Sequence, residues 1–472
     1  MTLSTAASFL ENAFLAYFIG LHLSYVLLNF SAIASVLRYM PIRSVVTLPA
    51  IETGLEPPIS VLVPAYNEEQ TIVSSVRALL QLQYPEYEVL VINDGSKDNT
   101  LGEMISAFSL VEFPDSRQSI LSTKPIRGFY RSKTCPNLCL IDKENGGKAD
   151  SLNAGINSSR YPFFCGVDAD SILQRDSLER ISQPFIQDPT VIACGGTIRI
   201  ANGCTVSDGN LIKADLPKNL LALFQVVEYL RAFLFGRLGW SPLNALLIIS
   251  GAFGLFKKDA VISVGGYRHN TIGEDMELIV RLHRIYREKR LKYRITFVPD
   301  PVCWTEAPED IATLRNQRIR WQRGLGESLS ANMPLLCSPR GGAAGWLAFP
   351  FFVVFEWLGP LVETSGYIYF IAGILFGFVD WPHAWIFFMV SVGFGALVSI
   401  IAMLLEEMSF HIYGRPTQLL RLFGAAIFEN FGYRQLNSWW RIVGLYRWAF
   451  NTKGGWGEMK RKGSWSATVP KK

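Results

Sequence analysis

Val89-Leu90-Val91-Ile92-Asn93-Asp94-Gly95-Ser96 is an apolar run that empties into a polar turn, and the pattern recurs along the chain. Upstream, Ile59-Ser60-Val61-Leu62-Val63 leads into Pro64-Ala65-Tyr66-Asn67-Glu68-Glu69 and then a helical pattern to about Leu82. Downstream, Leu138-Cys139-Leu140-Ile141 precedes a Gly-rich turn, and Pro162 to Val167 delivers Asp168-Ala169-Asp170. Apolar strands alternating with helices predict a parallel α/β sheet. Ligands of such sheets sit beyond the carboxyl ends of the strands, which is where these acidic turns fall.

The 472 residues are 49% hydrophobic, with a mean hydropathy of +0.21. That is too apolar for an ordinary soluble enzyme, yet the 18% of charged residues requires a water-facing part. Ala13 to Leu37 is long enough to cross a bilayer and reads as a retained anchor, because the first dozen residues hold no Lys or Arg. Glu11 precedes it and Arg38 and Arg43 follow, which predicts an external N-terminus and a cytoplasmic middle. Gly345 to Leu405 is a second apolar region, interrupted at Pro360 and at Asp380-Trp381-Pro382. Beyond it lie Arg415, Arg421, Arg434, Arg441, Arg447 and a basic tail, so an even number of crossings is expected. Leu419 to Phe431 is short for a span, which leaves two or four. The implied division is an anchor and Pro-rich linker (1–57), a catalytic domain (58–340), and a bundle with a basic tail (341–472). The net charge of +5 gathers beside the apolar segments and suits anionic headgroups better than nucleic acid. Seven cysteines lack metal spacing, since Cys135 and Cys139 have no second pair, and read as reduced thiols.

Several clusters carry chemistry. Asp94 either shapes an Asn-Asp-Gly turn or accepts hydrogen bonds from a nucleobase. Asp168 and Asp170 place two carboxylates at a strand end, a donor set suited to Mg2+ or Mn2+ on a diphosphate. Asn145-Gly146-Gly147-Lys148 offers backbone amides and an ammonium to phosphates, without the full P-loop pattern. Thr271-Ile272-Gly273-Glu274 fits a helix capping box, which leaves Asp275 free to take a proton from a sugar hydroxyl. Gln317, Arg320 and Trp321 fall at i, i+3 and i+4 on one helical face, an indole for a sugar ring and a guanidinium for a diphosphate. Arg315, Arg318 and Arg323 alternatively touch headgroups. Phe224 to Gly239 reads as interfacial, and Leu246 to Phe253 as a core strand with a tight turn at Ser250-Gly251-Ala252.

Taken in order, these clusters over Ile59 to Gly324 resemble the membrane-integrated, processive family-2 glycosyltransferases, which include hyaluronan, chitin, cellulose and poly-N-acetylglucosamine synthases. The resemblance implies a GT-A-like domain embedded between transmembrane helices, with interfacial amphipathic helices. It implies that Pro64, Ala65, Tyr66, Asn67, Glu68, Asp94, Lys148 and Asp168 hold the nucleotide and Asp170 the metal. Asp275 would be the base, beside Glu274; Ser250, Gly251 and Ala252 would floor the acceptor site; Gln317, Arg320 and Trp321 would bind acceptor and diphosphate. Many relatives carry Thr-Glu-Asp where this chain has Gly273-Glu274-Asp275. The single preceding span and the lack of an evident extra domain look closer to the poly-N-acetylglucosamine type than to cellulose synthase. The expectation is inverting, metal-dependent transfer from a UDP-sugar to a growing polysaccharide, coupled to its passage across the plasma (inner) membrane. Export or accessory subunits are admitted as partners. Transfer of a single sugar to a lipid carrier and an inactive membrane scaffold are the alternatives. Glu356 and Glu363 read as facing the bundle interior or capping broken helices.

Overall fold

The computed structural model describes residues 3–46, 54, 56–114, 119–207 and 209–451. The basic tail and most of the Pro-rich linker lie outside the described residues, as does the Arg43 side chain. The strands are β1 (Ile59–Ala65), β2 (Tyr87–Asp94), β3 (Leu110–Glu112), β4 (Ile126–Ser132), β5 (Leu138–Lys143), β6 (Phe163–Val167), β7 (Ile172–Leu173), β8 (Val191–Ile200), β9 (Thr205–Ser207), β10 (Asn210–Lys213), β11 (Phe253–Lys257) and β12 (Arg294–Thr305). Ten of them form one sheet in the order β3-β4-β5-β2-β1-β6-β11-β8-β12-β7, and β9 and β10 form a separate hairpin.

The expected parallel core is β5-β2-β1-β6. Its register sets Ala65 beside Asn93 and Asn93 beside Asp142, so these strands end along one edge. The rest of the sheet is mixed. β11 runs antiparallel between β6 and β8, whereas β8 and β12 are parallel. β1 and β8 are buried almost throughout, as strands covered on both faces must be.

The Leu246 run corrects the sequence reading, because the strand begins only at Phe253. Ile249 instead packs across the sheet face, its side chain close to the bare Cα positions of Gly195 and Gly254. The Leu246 carbonyl accepts from His283 Nε2 at 2.9 Å, so a side chain replaces a strand partner. The Ser250–Ala252 turn is present, closed by Phe253 N–H to Ser250 O at 3.2 Å.

Among the described residues three helices are long and apolar enough to cross a membrane: Phe9–Met40 within helix Leu3–Val46, then Gly359–Phe376 and Trp381–Phe410. At about 1.5 Å per residue, the 18 residues of the second match a hydrocarbon core of roughly 30 Å. The chain is thus a membrane protein. Two such helices follow the sheet domain among the described residues; apolar helix Ala344–Trp357 is shorter, and Pro416–Phe428 has only 13 residues. Pro360 starts one helix, and Asp380 caps the next by accepting from the His383 amide at 3.1 Å.

Phe224 to Gly239 is core rather than interface. Helix Leu220–Leu230 runs into a π turn, Arg231–Arg237, and Phe233, Leu234 and Phe235 are buried. Its aromatic side chains fill the space between sheet and spans, where Arg231 pairs with Glu429 at 2.5 Å. Arg199 of β8 pairs with Glu406 of the last span, both nearly fully buried.

Candidate active site

The strand ends build the site. Past β1, Asn67 takes a left-handed conformation (φ 55°). Its amide donates to Ser96 Oγ at 3.0 Å, and its Oδ1 accepts from the Lys97 amide at 2.8 Å, which ties the Pro64–Glu68 loop to the turn after β2. Asp94 ends β2 just before that turn and is buried. Its Oδ1 accepts from Lys143 Nζ at 2.6 Å and the Gly146 amide at 3.0 Å. Its Oδ2 accepts from the Gly147 amide at 2.8 Å and Asn145 Nδ2 at 3.2 Å. Asp94 thus shapes the Gly-rich turn, the first of the two readings its sequence allowed. Lys143, fully buried, also meets Asp150 at 2.7 Å. Sequence reasoning missed it, because a lysine ending a strand gives no sign that two carboxylates converge on it.

Lys148 opens the helix Lys148–Ser158. Its Nζ donates to Asp168 Oδ1 and to the Gly251 carbonyl at 3.1 Å. Burial works to lower its pKa, but Asp168, Glu274 and Asp275 overcome this and hold it above the ordinary lysine range. The Gly251 amide donates to Asp275 Oδ2 at 3.1 Å, and the Met276 amide to Asp275 Oδ1 at 2.8 Å. One peptide segment therefore lies between Lys148 and Asp275. A Cβ on Gly251 would stand 2.9 Å from Lys148 Nζ and 3.6 Å from Asp275 Oδ2.

The capping box is absent. The helix Glu274–Glu288 starts at Glu274 itself, with side-chain-less Gly273 as its cap. Thr271 Oγ1 donates instead to Glu327 Oε2 at 3.3 Å, and Glu327 also accepts from the Ile272 amide at 2.8 Å. Glu274, freed from capping, lines the cavity, where burial pushes its pKa up to about 7, with Asp275 adding and Lys148 opposing. The Gly273 departure has a steric cause. A Cβ there would stand 2.9 Å from the Gly324 carbonyl oxygen, so the loop lies directly on the helix Ile311–Ser330.

That helix presents Gln317, Arg320 and Trp321 to the cavity, with Gln317 Oε1 buried and unpartnered. Arg318 does not face headgroups: it is buried, donates to Glu228 at 2.7 Å, and stacks 4.5 Å from the Trp321 ring. Arg323 is likewise taken, by Glu327 at 2.8 Å. Arg315 is exposed.

The residues expected from the sequence to hold nucleotide, metal and acceptor or to act as base, from Pro64 to Trp321, all line one cavity of about 1280 Å³. It continues among the apolar helices past His22, Tyr25, Glu356, Glu363, Tyr367, Arg434 and Arg441. Glu356 and Glu363 both face the bundle: Glu356 accepts from Tyr25 at 2.8 Å and pairs with Arg441 at 3.0 Å, and Glu363 accepts from Ser438 at 2.8 Å. Among the described residues no three His, Cys, Asp or Glu side chains converge as a metal cage. Asp168 and Asp170 still fit Mg2+ or Mn2+, which bind through one or two carboxylates and take other ligands from substrate phosphates and water. All seven cysteines are free thiols.

The description "Glycosyl transferase family 2" matches residues 60–261, and "Glycosyl transferase family group 2" matches residues 164–400, half of the chain. Poly-beta-1,6-N-acetyl-D-glucosamine synthase of Staphylococcus aureus (strain COL) is 32% identical over 274 residues, 57% of this chain and 55% of that protein. The Staphylococcus epidermidis synthase is 31% identical over 272 residues, with the same coverage. The chain thus spans about half the length of the curated relatives it matches. A solved mannosyltransferase from Pyrobaculum calidifontis, in complex with GDP-Man and Mn2+, aligns at 16% identity and a TM-score of 0.47, covering 92% of this chain and 100% of that one. The family matches begin at β1, take in the acidic turns and extend into the last span, and together they cover most of the residues that line the cavity: the chain belongs to the family-2 glycosyltransferases.

Proposed function

We propose that this protein transfers a sugar from a UDP-sugar to the end of a growing polysaccharide, with inversion, and passes the product into the membrane. The observation that carries the reading is the single cavity joining Lys148, Asp168 and Asp275 to the interior of the helix bundle. A separate glycolipid product needs no such continuity. The poly-N-acetylglucosamine synthases named above support an N-acetylhexosamine donor.

Asp275, oriented by the Gly251 and Met276 amides, takes the proton from the acceptor hydroxyl. The freed oxygen pair attacks the anomeric carbon opposite the diphosphate, and the carbon–oxygen bond to UDP breaks with its electrons leaving on the phosphate. Lys148 and Arg320 offset the charge that gathers there. Asp170, with Asp168, would hold Mg2+ or Mn2+, which supplies further charge neutralisation when bound. Gln317 and Trp321 hold the acceptor sugar, and the Pro64–Glu68 loop with the Asp94 turn holds the nucleotide. The sheet domain faces the cytoplasm, where UDP-sugars arise, and the spans lie in the plasma (inner) membrane.

The test is UDP release by the nanodisc-embedded protein with Mg2+ or Mn2+ over a panel of UDP-sugars, beside Asp275→Asn. Release from one donor, abolished in the variant and accompanied by high-mass product, is expected. A product extended by one sugar only, or no affinity for UDP, overturns the reading.

A further inference from the structure

Arg237 ends the π turn Arg231–Arg237, a helix defect that recurs at functional sites because it re-aims the side chain that follows. It lines the cavity, and its Nη1 is buried with no hydrogen-bond partner. Its neighbours each have a carboxylate partner: Arg231 pairs with Glu429, and Arg318 with Glu228 through one nitrogen while its Nε and Nη1 stay unpartnered. The Arg237 guanidinium lies 3.7 Å from the Phe233 ring centroid, a stacked contact that uses none of its N–H donors. Burial pushes its pKa down to about 10, with Asp275 and Tyr229 opposing, so it stays charged at neutral pH. A charged group in such surroundings is costly unless oxygen acceptors meet it.

Its position says where those acceptors come from. The donor side of the cavity holds Lys148 and the β6 carboxylates. Arg237 enters from the side of the spans: Gly239, two residues on, accepts from Ser31 Oγ of the first span at 2.8 Å, and Trp240 packs on Phe351. Asp275 lies between the two sides, within electrostatic reach of both Lys148 and Arg237.

We infer that Arg237 binds the acceptor saccharide, donating to hydroxyl or amide-carbonyl oxygens of the sugars behind the hydroxyl that faces Asp275. This rests on the polysaccharide-extending reading above, and it adds a contact that none of the sequence clusters contains. A guanidinium contact of this kind predicts a loss of about tenfold in saccharide affinity when its donors are removed.

The experiment uses the full chain in nanodiscs, as wild type, Arg237→Gln and Arg237→Lys. It measures affinity for UDP, affinity for a β-1,6-linked N-acetylglucosamine oligosaccharide, and product length from the active UDP-sugar. Arg237→Gln is expected to bind the oligosaccharide about tenfold more weakly and to give shorter product, with UDP affinity within about twofold of wild type. Arg237→Lys, which keeps the charge but not the planar fork, is expected to recover part of the saccharide affinity. Equal saccharide affinity and product length in all three proteins overturns the assignment, as does a fall in UDP affinity alone, which would place Arg237 on the diphosphate. Should Arg237→Gln lose UDP binding altogether, Arg237→Lys decides: normal UDP affinity with weakened saccharide binding supports the assignment, and joint loss overturns it. A wild type that forms no polymer and binds no oligosaccharide fails the functional reading itself, an outcome separate from these.

Discussion

Gly251 has no side chain, and its surroundings require that. A methyl group there would press on Lys148 Nζ at 2.9 Å and stand against Asp275. Gly251→Ala is therefore expected to lower turnover by about 10²-fold, the scale set by an ångström of misplacement, with thermal stability little changed. UDP release and a melting curve on the same preparation check this; wild-type turnover in the variant would refute it. Glu274 gives a second prediction, with a definite sign. Its pKa is raised in the folded protein to about 7, so its protonated form stabilises the fold, and that contribution is lost as pH rises from the ordinary carboxylate range through about 7. Glu274→Gln keeps the uncharged form at all pH values. Its melting temperature should match wild type near pH 4.5 and exceed it increasingly up to pH 7 and just beyond. Parallel melting curves across that window would contradict the assignment. At this scale the acids and the Gln-x-x-Arg-Trp helix were legible, because each follows an apolar run or falls on a helical period. Lys143 and Arg237 were not, since only long-range packing shows what surrounds them.

The elements show a similar division. β1, β2, β5 and β6 were readable because fully apolar runs ending in polar turns leave few other choices. The capping box failed because Thr271 found Glu327, more than fifty residues away, a better acceptor than the local helix end. The Leu246 run failed because apolar character reports burial and not pairing, and glycines at 195 and 254 leave a hollow that Ile249 fills. The contact between Gly273 and the helix Ile311–Ser330 is the sharpest case. Either residue given a Cβ meets the other's backbone at 2.9 Å. Gly324→Ala should cost about 1–3 kcal/mol of stability by overpacking and should reduce turnover more than it reduces UDP affinity. Denaturation and UDP binding measured together test it, and equal losses in turnover and UDP affinity would count against the contact as a link between the Asp275 loop and the helix Ile311–Ser330.

Across the whole molecule, buried charge fastens the sheet to the spans. Arg199 and Glu406 are 1% and 3% exposed, on β8 and the last span. Glu406→Gln removes one charge and strands the other, so a loss of about 3–5 kcal/mol is expected. Replacing both partners with leucine and methionine should recover most of that loss, because two apolar groups leave no charge unpaired. Melting temperatures of the three proteins in one detergent decide the matter; a single variant as stable as wild type would show that the pair contributes nothing. The existence of apolar spans was plain in the sequence. Their attachment was not, because Arg199 and Glu406 lie 207 positions apart and look like ordinary polar residues in strand and helix.

The Gly251 peptide carries a consequence for timing. Its carbonyl oxygen is held by Lys148 and its amide hydrogen holds Asp275, the groups that in the proposed mechanism would face the donor phosphates and receive the acceptor's proton. A donor that draws Lys148 toward its diphosphate relaxes one end of this peptide and so changes the aim of Asp275 at the other. The two substrates then sense each other through a single residue, and by reciprocity an acceptor that engages Asp275 changes the grip on the donor by the same factor. On the proposed mechanism, order of arrival would become a property of the backbone.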